Sequence, residues 1–200
     1  MFTGIIESLG QIAETTDVGG DHRMLITAPA GFLGDSQLGD SIAVNGVCLT
    51  AVDYRDYGFV ADLSAETLTA TTASQWAAGK DVNLERALTP AKPLGGHLVS
   101  GHVDGIGRLL KKYDEARSWR MTFMVPKDLA RYVARKGSIC IDGVSLTVNE
   151  VSASTFGVNI VPHTMTHTTL GQLKEGDTVN LEVDQIARYL ERLLAARELA

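Results

Sequence analysis

The chain has 200 residues, 44% of them hydrophobic and 21% charged, a balance that fits a folded globular protein and excludes disordered or low-complexity architecture. Its net charge of −6 argues against a nucleic-acid partner, because neutralising phosphates takes clustered Lys and Arg. No window approaches the roughly 20 apolar residues of a membrane span, and the opening MFTGIIESLG lacks the basic and apolar regions of a signal peptide. A soluble, cytoplasmic protein with no membrane partner is expected. The two cysteines, Cys48 and Cys140, form no CxxC pair, so neither a disulfide framework nor a thiolate metal site is indicated.

In chain order, residues 41–52 are an apolar, β-branched run bent around Asn45-Gly46, a dipeptide suited to a tight turn. A second short run follows at 57–63, then a short helical stretch at 64–70 and a closing strand at 80–85. The stretch 126–136, PKDLARYVARK, reads as a helix entered by proline. Residues 138–148 are again strand-like around Asp142-Gly143, followed by runs at 155–161 and 177–183. The tail, 184–200, places Ile186, Tyr189, Leu190, Leu193 and Leu194 at helical spacing. Arg188, Glu191, Arg192 and Arg197 fall outside that stripe, and Asp184 stands as N-cap. Either docking on its own barrel or subunit association would cover the stripe.

The later runs repeat the earlier ones. NGVCLT at 45–50 recurs as DGVSLT at 142–147, an offset of 97 (142 − 45). The same offset carries Gly4 to Gly101, Gly10 to Gly107, Thr67 to Thr164, Gly79 to Gly176 and the VNLE at 82–85 to that at 179–182. So many anchors in one register make the chain two tandem copies of one domain, 1–90 and 91–185, followed by the tail helix. Short strands at even spacing in each copy predict a small β-barrel.

Two similar pockets with unlike polar groups would suit an enzyme that treats two similar molecules differently. Cys48 corresponds to Ser145, Asn45 to Asp142, Ile5 to His102, Gly39 to Lys136, Asp62 to Asn159 and Glu66 to His163. The bland alternative is drift after duplication. Other signatures are weak. His163 and His167 have helical metal-ligand spacing but read as a strand-to-turn stretch with no third ligand, so no metal is expected. The glycine-rich GGHLVSGHVDG at 95–105 is no P-loop, though its glycines allow close approach of a ligand to the backbone. Its His97 and His102 are each more often structural. No GxSxG elbow is present.

Five segments, MFTGII, GDSIAVNGVCLT, GGHLVSGHVDG, KGSICIDGVSLTV and VNIVPHTMTHTTL, together resemble the riboflavin synthases of the homotrimeric alpha-chain type. That resemblance implies an all-β fold of two tandem six-stranded Greek-key barrels plus a C-terminal amphipathic helix that assembles a homotrimer. It implies a transferase reaction in which two molecules of 6,7-dimethyl-8-ribityllumazine exchange four carbons. The products are riboflavin and 5-amino-6-ribitylaminouracil, formed without metal or organic cofactor at sites between subunits.

Carried over residue by residue, the family's ligand segments fall on Gly4, Ile5, Ile6, Cys48, Leu49 and Thr50, and on Asp62, Leu63, Ser64, Ala65, Glu66 and Thr67, in the first barrel. In the second they fall on Gly101, His102, Val103, Ser145, Leu146 and Thr147, and on Asn159, Ile160, Val161, Pro162, His163 and Thr164. Lys136 is directed at a neighbour's site, and His163 stands where many relatives carry glutamate. His102 suits the base that takes a proton from the acidic 7-methyl group. Cys48, Ser41, Ser145 or water could add at C7 of the other lumazine. Because Cys48 and His102 lie in different copies, they are expected to act across a subunit interface. Two rivals remain. A non-catalytic antenna-type lumazine or flavin binder is disfavoured by the retained polar set. A tandem OB-like oligonucleotide binder is disfavoured by the acidic charge and an aromatic content of only 6%.

Overall fold

The structure, a computed structural model, describes residues 1–198. The first barrel is built from β1 (Ser8–Val18), β2 (Asp21–Thr27), β3 (Ser41–Val44), β4 (Val47–Arg55), β5 (Gly58–Leu63) and β6 (Asp81–Arg86), with the short helix α1 (Ala65–Ala70) after β5. The second comprises β7 (Gly105–Glu115), β8 (Ser118–Met124), β9 (Ser138–Ile141), β10 (Val144–Val151), β11 (Thr155–Ile160) and β12 (Thr178–Val183), with α2 (Pro162–His167) after β11. Both close in the same antiparallel order, β1-β2-β5-β4-β3-β6 and its equivalent, which is the Greek-key arrangement of an all-β duplicated fold.

Alternation along the strands supplies the cores. In β11, Phe156, Val158 and Ile160 are buried while Asn159 faces out, and each barrel interior is filled by its own set of such side chains. Phe123 and Phe156 stack at 5.7 Å inside the second barrel. One bulge bends each of β1, β4, β7 and β10, a local kink that helps a short sheet close on itself.

The barrels meet along a polar seam near a two-fold relation. The Asn45-Gly46 and Asp142-Gly143 turns, all four residues at positive φ, lie back to back. A Cβ on Gly46 would come within 2.7 Å of the Gly143 nitrogen, so the approach requires glycine. Asn83 donates from its amide to the Asp142 carbonyl (2.8 Å) and accepts from the Thr169 N–H (2.8 Å). Asn180 reciprocates, donating to the Asn45 carbonyl (2.8 Å) and accepting from Thr72 N–H (2.8 Å). These asparagines belong to the repeated VNLE, whose two buried amides therefore join the copies as well as closing each barrel.

Two local expectations change. The stretch 126–136 forms only a 3₁₀ turn at Ala130–Tyr132: Tyr132 N–H bonds back to the Leu129 carbonyl and Val133 N–H to that of Ala130, and the chain turns at Lys136. Conversely, the residues after Val161 are helical: Pro162 opens α2, and His163 and His167 stack at 4.1 Å on it. Among the described residues no group of three or more potential ligands could hold a metal ion, and no helix is long and apolar enough to cross a membrane.

The tail forms α3 (Gln185–Glu198), with the Asp184 carboxylate accepting from Ile186 N–H at 3.0 Å as the N-cap. Of the expected tail segment 186–200, positions 199 and 200 lie outside the described residues, as does the side chain of Arg197. Ile186, Tyr189 and Leu193 are 73%, 70% and 67% exposed, so the stripe is not covered by the chain's own barrels.

Candidate functional site

The segment ahead of each barrel leaves its own barrel and packs on the other. The Ser145 N–H donates to the Gly4 carbonyl at 2.7 Å, and the Cys48 N–H donates to the Gly101 carbonyl at 2.9 Å. Gly4 and Gly101 have φ of 73° and 80°, and a Cβ on either would lie within 2.6 Å of the Ser145 or Cys48 Cβ. Only glycine permits that approach. Ile6 accordingly packs against the second barrel's core and Val103 against the first's. The copy-by-copy grouping drawn from the sequence is therefore corrected. Gly4, Ile5 and Ile6 stand with Ser145, Leu146 and Thr147, whereas Gly101, His102 and Val103 stand with Cys48, Leu49 and Thr50.

One buried carboxylate fixes each segment. Glu85 accepts from Thr3 N–H (2.8 Å), Thr3 Oγ1–H (2.6 Å) and Gly4 N–H (2.9 Å). Glu182 accepts from Ser100 N–H (2.6 Å), Ser100 Oγ–H (2.6 Å) and Gly101 N–H (2.9 Å). Burial pushes the Glu182 carboxyl above its ordinary value. Lys92 bridges Glu85 (3.0 Å) and Glu7 (2.7 Å) beside the first segment. Arg188 of α3 holds the second, pairing with Asp104 and donating to the His102 carbonyl at 3.1 Å.

The first half-site thus combines Cys48, Leu49 and Thr50 of β4 with the His102 segment. Cys48 is half-buried, Leu49 points into the core, and Thr50 and His102 are exposed. His102 immediately follows Gly101, whose carbonyl accepts from Cys48 N–H, so the two residues lie on neighbouring segments within one chain. Beyond β4, Asp62 and Leu63 end β5, and Ser64, Ala65, Glu66 and Thr67 start α1, whose N-cap is the Ser64 hydroxyl accepting from Thr67 N–H at 3.2 Å. Asp62 is engaged in a bidentate pair with Arg23 at 2.7 and 2.8 Å.

In the second half-site, Ser145, Leu146 and Thr147 lie on β10. Asn159 and Ile160 end β11, Val161 is 54% exposed, and Pro162, His163 and Thr164 begin α2. Ser41 lies on β3 opposite Thr50 and lines a cleft of about 520 Å³ with Asp40, Arg86 and Lys92. Lys136 joins neither segment contact. It lines a separate cleft of about 450 Å³ beside Arg120 and Arg135.

Sequence reasoning passed over two kinds of residue. His97, read as structural, is buried with Nδ1 2.7 Å from the Ser145 hydroxyl, and burial lowers its pKa. Glu85 and Glu182 were visible as repeat anchors, and a charge kept inside an apolar strand pattern was the signal that they hold something.

Comparison with known proteins agrees with this duplication. The lumazine binding domain matches twice, over residues 3–87 and 100–184. The chain is 45% identical to riboflavin synthase of Photobacterium phosphoreum, covering 97% of this chain and 89% of that protein. It is 41% identical to riboflavin synthase of Brucella abortus, covering 96% and 98% respectively. Among solved structures, LumP complexed with riboflavin superposes with a TM-score of 0.85 at 28% identity, covering 92% of this chain and 99% of that one. LumP complexed with 6,7-dimethyl-8-(1'-D-ribityl) lumazine gives a TM-score of 0.83 at 27% identity. With both copies of the domain matched and more than 40% identity sustained over nearly its whole length, the chain belongs to the riboflavin synthase family of transferases.

Proposed function

We propose that each half-site binds one 6,7-dimethyl-8-ribityllumazine and that the chain converts two of them into riboflavin and 5-amino-6-ribitylaminouracil. The observation that carries this reading is the pair of like cradles with unlike reactive groups, Cys48 and His102 in one, Ser145 in the other. One kind of molecule bound twice and treated in two ways is what a disproportionation requires. Atoms balance between the two lumazines, one giving four carbons and the other receiving them, so the net conversion needs no further reactant.

The exposed imidazole of His102 is suited to take the 7-methyl proton, because the resulting carbanion delocalises into the ring. Cys48, Ser41, Ser145 or water supplies the nucleophile at C7 of the other ring. Backbone groups and the exposed hydroxyls of Thr50 and Thr147 orient the ring edges. Holding both rings face to face supplies about 7–11 kcal/mol of the barrier in favourable systems.

Both half-sites are open, and the α3 stripe is exposed. We infer that a homotrimer forms through α3, so that the first half-site of one subunit faces the second half-site of its neighbour. Lys136 then reaches the neighbour's ligand, and the assembly works in the cytoplasm. The likeness to LumP favours one other reading, a non-catalytic binder, but the higher identity to the synthases weighs against it.

Incubation with 6,7-dimethyl-8-ribityllumazine alone decides between them. Equal amounts of riboflavin and the pyrimidinedione are expected. Tight binding without product would establish the binder, and no binding would remove lumazine as the ligand.

A further inference from the structure

The second half-site contains a hydrogen bond with no equivalent at the first. His97 is 9% exposed, and its Nδ1 lies 2.7 Å from Ser145 Oγ. Its Nε2 is buried and has no hydrogen-bond partner among the described residues. The ring is seated by its own backbone, since the His97 N–H donates to the Thr3 carbonyl at 3.1 Å. Gly96 lies flat over Ser145, where a Cβ would meet the Thr3 carbonyl oxygen at 2.2 Å and Ser145 Oγ at 2.9 Å. At the first half-site, by contrast, no imidazole hydrogen-bonds Cys48 among the described residues.

The orphaned Nε2 decides the tautomer. A buried N–H without an acceptor costs more than a buried lone pair, and native structures seldom contain one. The ring proton therefore belongs on Nδ1, which donates to Ser145 Oγ. Protonation of Nε2 would create that orphan donor, so the ring stays neutral, in line with the effect of burial on it. With one lone pair of Oγ occupied by His97, the serine hydroxyl loses its freedom to rotate and its own proton is left to point elsewhere.

We propose that His97 is a positioning residue of the second half-site, which acts by donating from Nδ1 to Ser145 Oγ and so aims the Ser145 hydroxyl proton at an acceptor atom of the bound lumazine ring. The two half-sites then differ in polarity as well as in nucleophile. The first offers a free thiol beside an exposed imidazole, the second a fixed hydroxyl donor. This inference rests on the lumazine reading of the half-site.

A double-mutant cycle tests it, with kcat/KM for lumazine turnover and the lumazine Kd by fluorescence as readouts. His97→Leu and Ser145→Ala should each lower kcat/KM about 10-fold, and the double variant should be no more than about 3-fold worse than either. His97→Asn, whose Nδ2–H falls near the place of Nδ1, should recover to within about 3-fold of the wild type. His97→Gln, which extends towards Nε2, should not.

Losses that multiply towards about 100-fold in the double variant overturn the proposal. So does a His97→Asn protein no better than His97→Gln, a comparison that remains decisive if His97→Leu does not fold. A wild-type protein that neither binds nor converts lumazine removes the underlying reading and this inference with it. Wild-type turnover with multiplicative variants removes the inference alone.

Discussion

The two half-sites share a backbone cradle and a Leu-Thr pair, Leu49-Thr50 and Leu146-Thr147, but not their reactive groups. In both, a buried glutamate accepts from two successive N–H groups and a hydroxyl, and a left-handed glycine lets the segment press on the opposite barrel. The side chains around that cradle have diverged. Glu85 carries Lys92 against it, whereas among the described residues Glu182 pairs with no lysine, and the second segment depends instead on Arg188 from α3. Cys48 with His102 nearby stands against Ser145 with His97. The difference teaches that duplication keeps what holds a ligand, because every backbone donor must be satisfied, and frees the groups that act on it.

The largest expected effect breaks that comparison at the carboxylates. Glu85→Ala leaves three donors unpaired and parts a half-buried ion pair, so a loss of about 3–5 kcal/mol in urea unfolding is expected. Glu182→Ala removes the acceptor of the three equivalent donors, but the charge it deletes already suffers from burial, so about 1–3 kcal/mol is expected. Equal losses would mean that Lys92 adds nothing to the first clamp.

Next in size is the seam. Asp142 accepts from Asn180 N–H at 2.8 Å as Asn45 accepts from Asn83 N–H at 2.7 Å, yet Asp142 is an acid in full burial, with its pKa pushed up to about 7. Its folded-state pKa exceeds the unfolded value, so between about pH 4 and 7 the folded state binds more protons. Stability should therefore fall as pH rises through that window and level off above it. Asp142→Asn should flatten this part of the profile and, at pH 8, raise stability by about 1–3 kcal/mol. An unchanged profile would show that Asp142 ionises without penalty.

What could be read in the sequence follows from what duplicates. The 97-residue offset is plain wherever the backbone depends on a particular residue, as at the Asn45-Gly46 turn, at Asn83 in the seam, and at Gly4 and Glu85 in the cradle. β1 gives almost no apolar alternation, since Ile12 is its only fully buried residue, and only pairing to β2 and β6 makes it a strand. The helix expected at 126–136 shortens to a 3₁₀ turn with bonds that reach back three residues, and the chain leaves it through Lys136 at φ 67°. The exchange of segments had no local signal at all. A repeat in sequence says which residues are equivalent, and it is silent on which copy each touches, so it groups Gly4 with Cys48 although Gly4 rests on Ser145. His97 escapes for a related reason: its meaning lies in one contact 48 residues away.

The smallest effect concerns stability at a place where the copies disagree about backbone cost. Lys136 occupies φ 67°, and its counterpart Gly39 occupies φ 92°. Their N–H groups make equivalent bonds, Lys136 to the Val148 carbonyl at 2.7 Å and Gly39 to that of Ala51 at 2.9 Å. The turn is thus the same, and the second copy holds a side chain in a region that costs an L-residue about 1–2 kcal/mol. Glycine would remove that strain while losing about 0.5–1 kcal/mol to its freer unfolded chain. Lys136→Gly should therefore gain about 0.5–1 kcal/mol in urea unfolding. If the lysine serves a neighbour's ligand, the same change should lower kcat/KM for lumazine by about 10-fold or more, equivalent to about 1.4 kcal/mol. A stabilised protein of lower activity would mark a position where strain is retained for the site. A stabilised protein of full activity would assign Lys136 no part in it and leave the strain without a functional explanation.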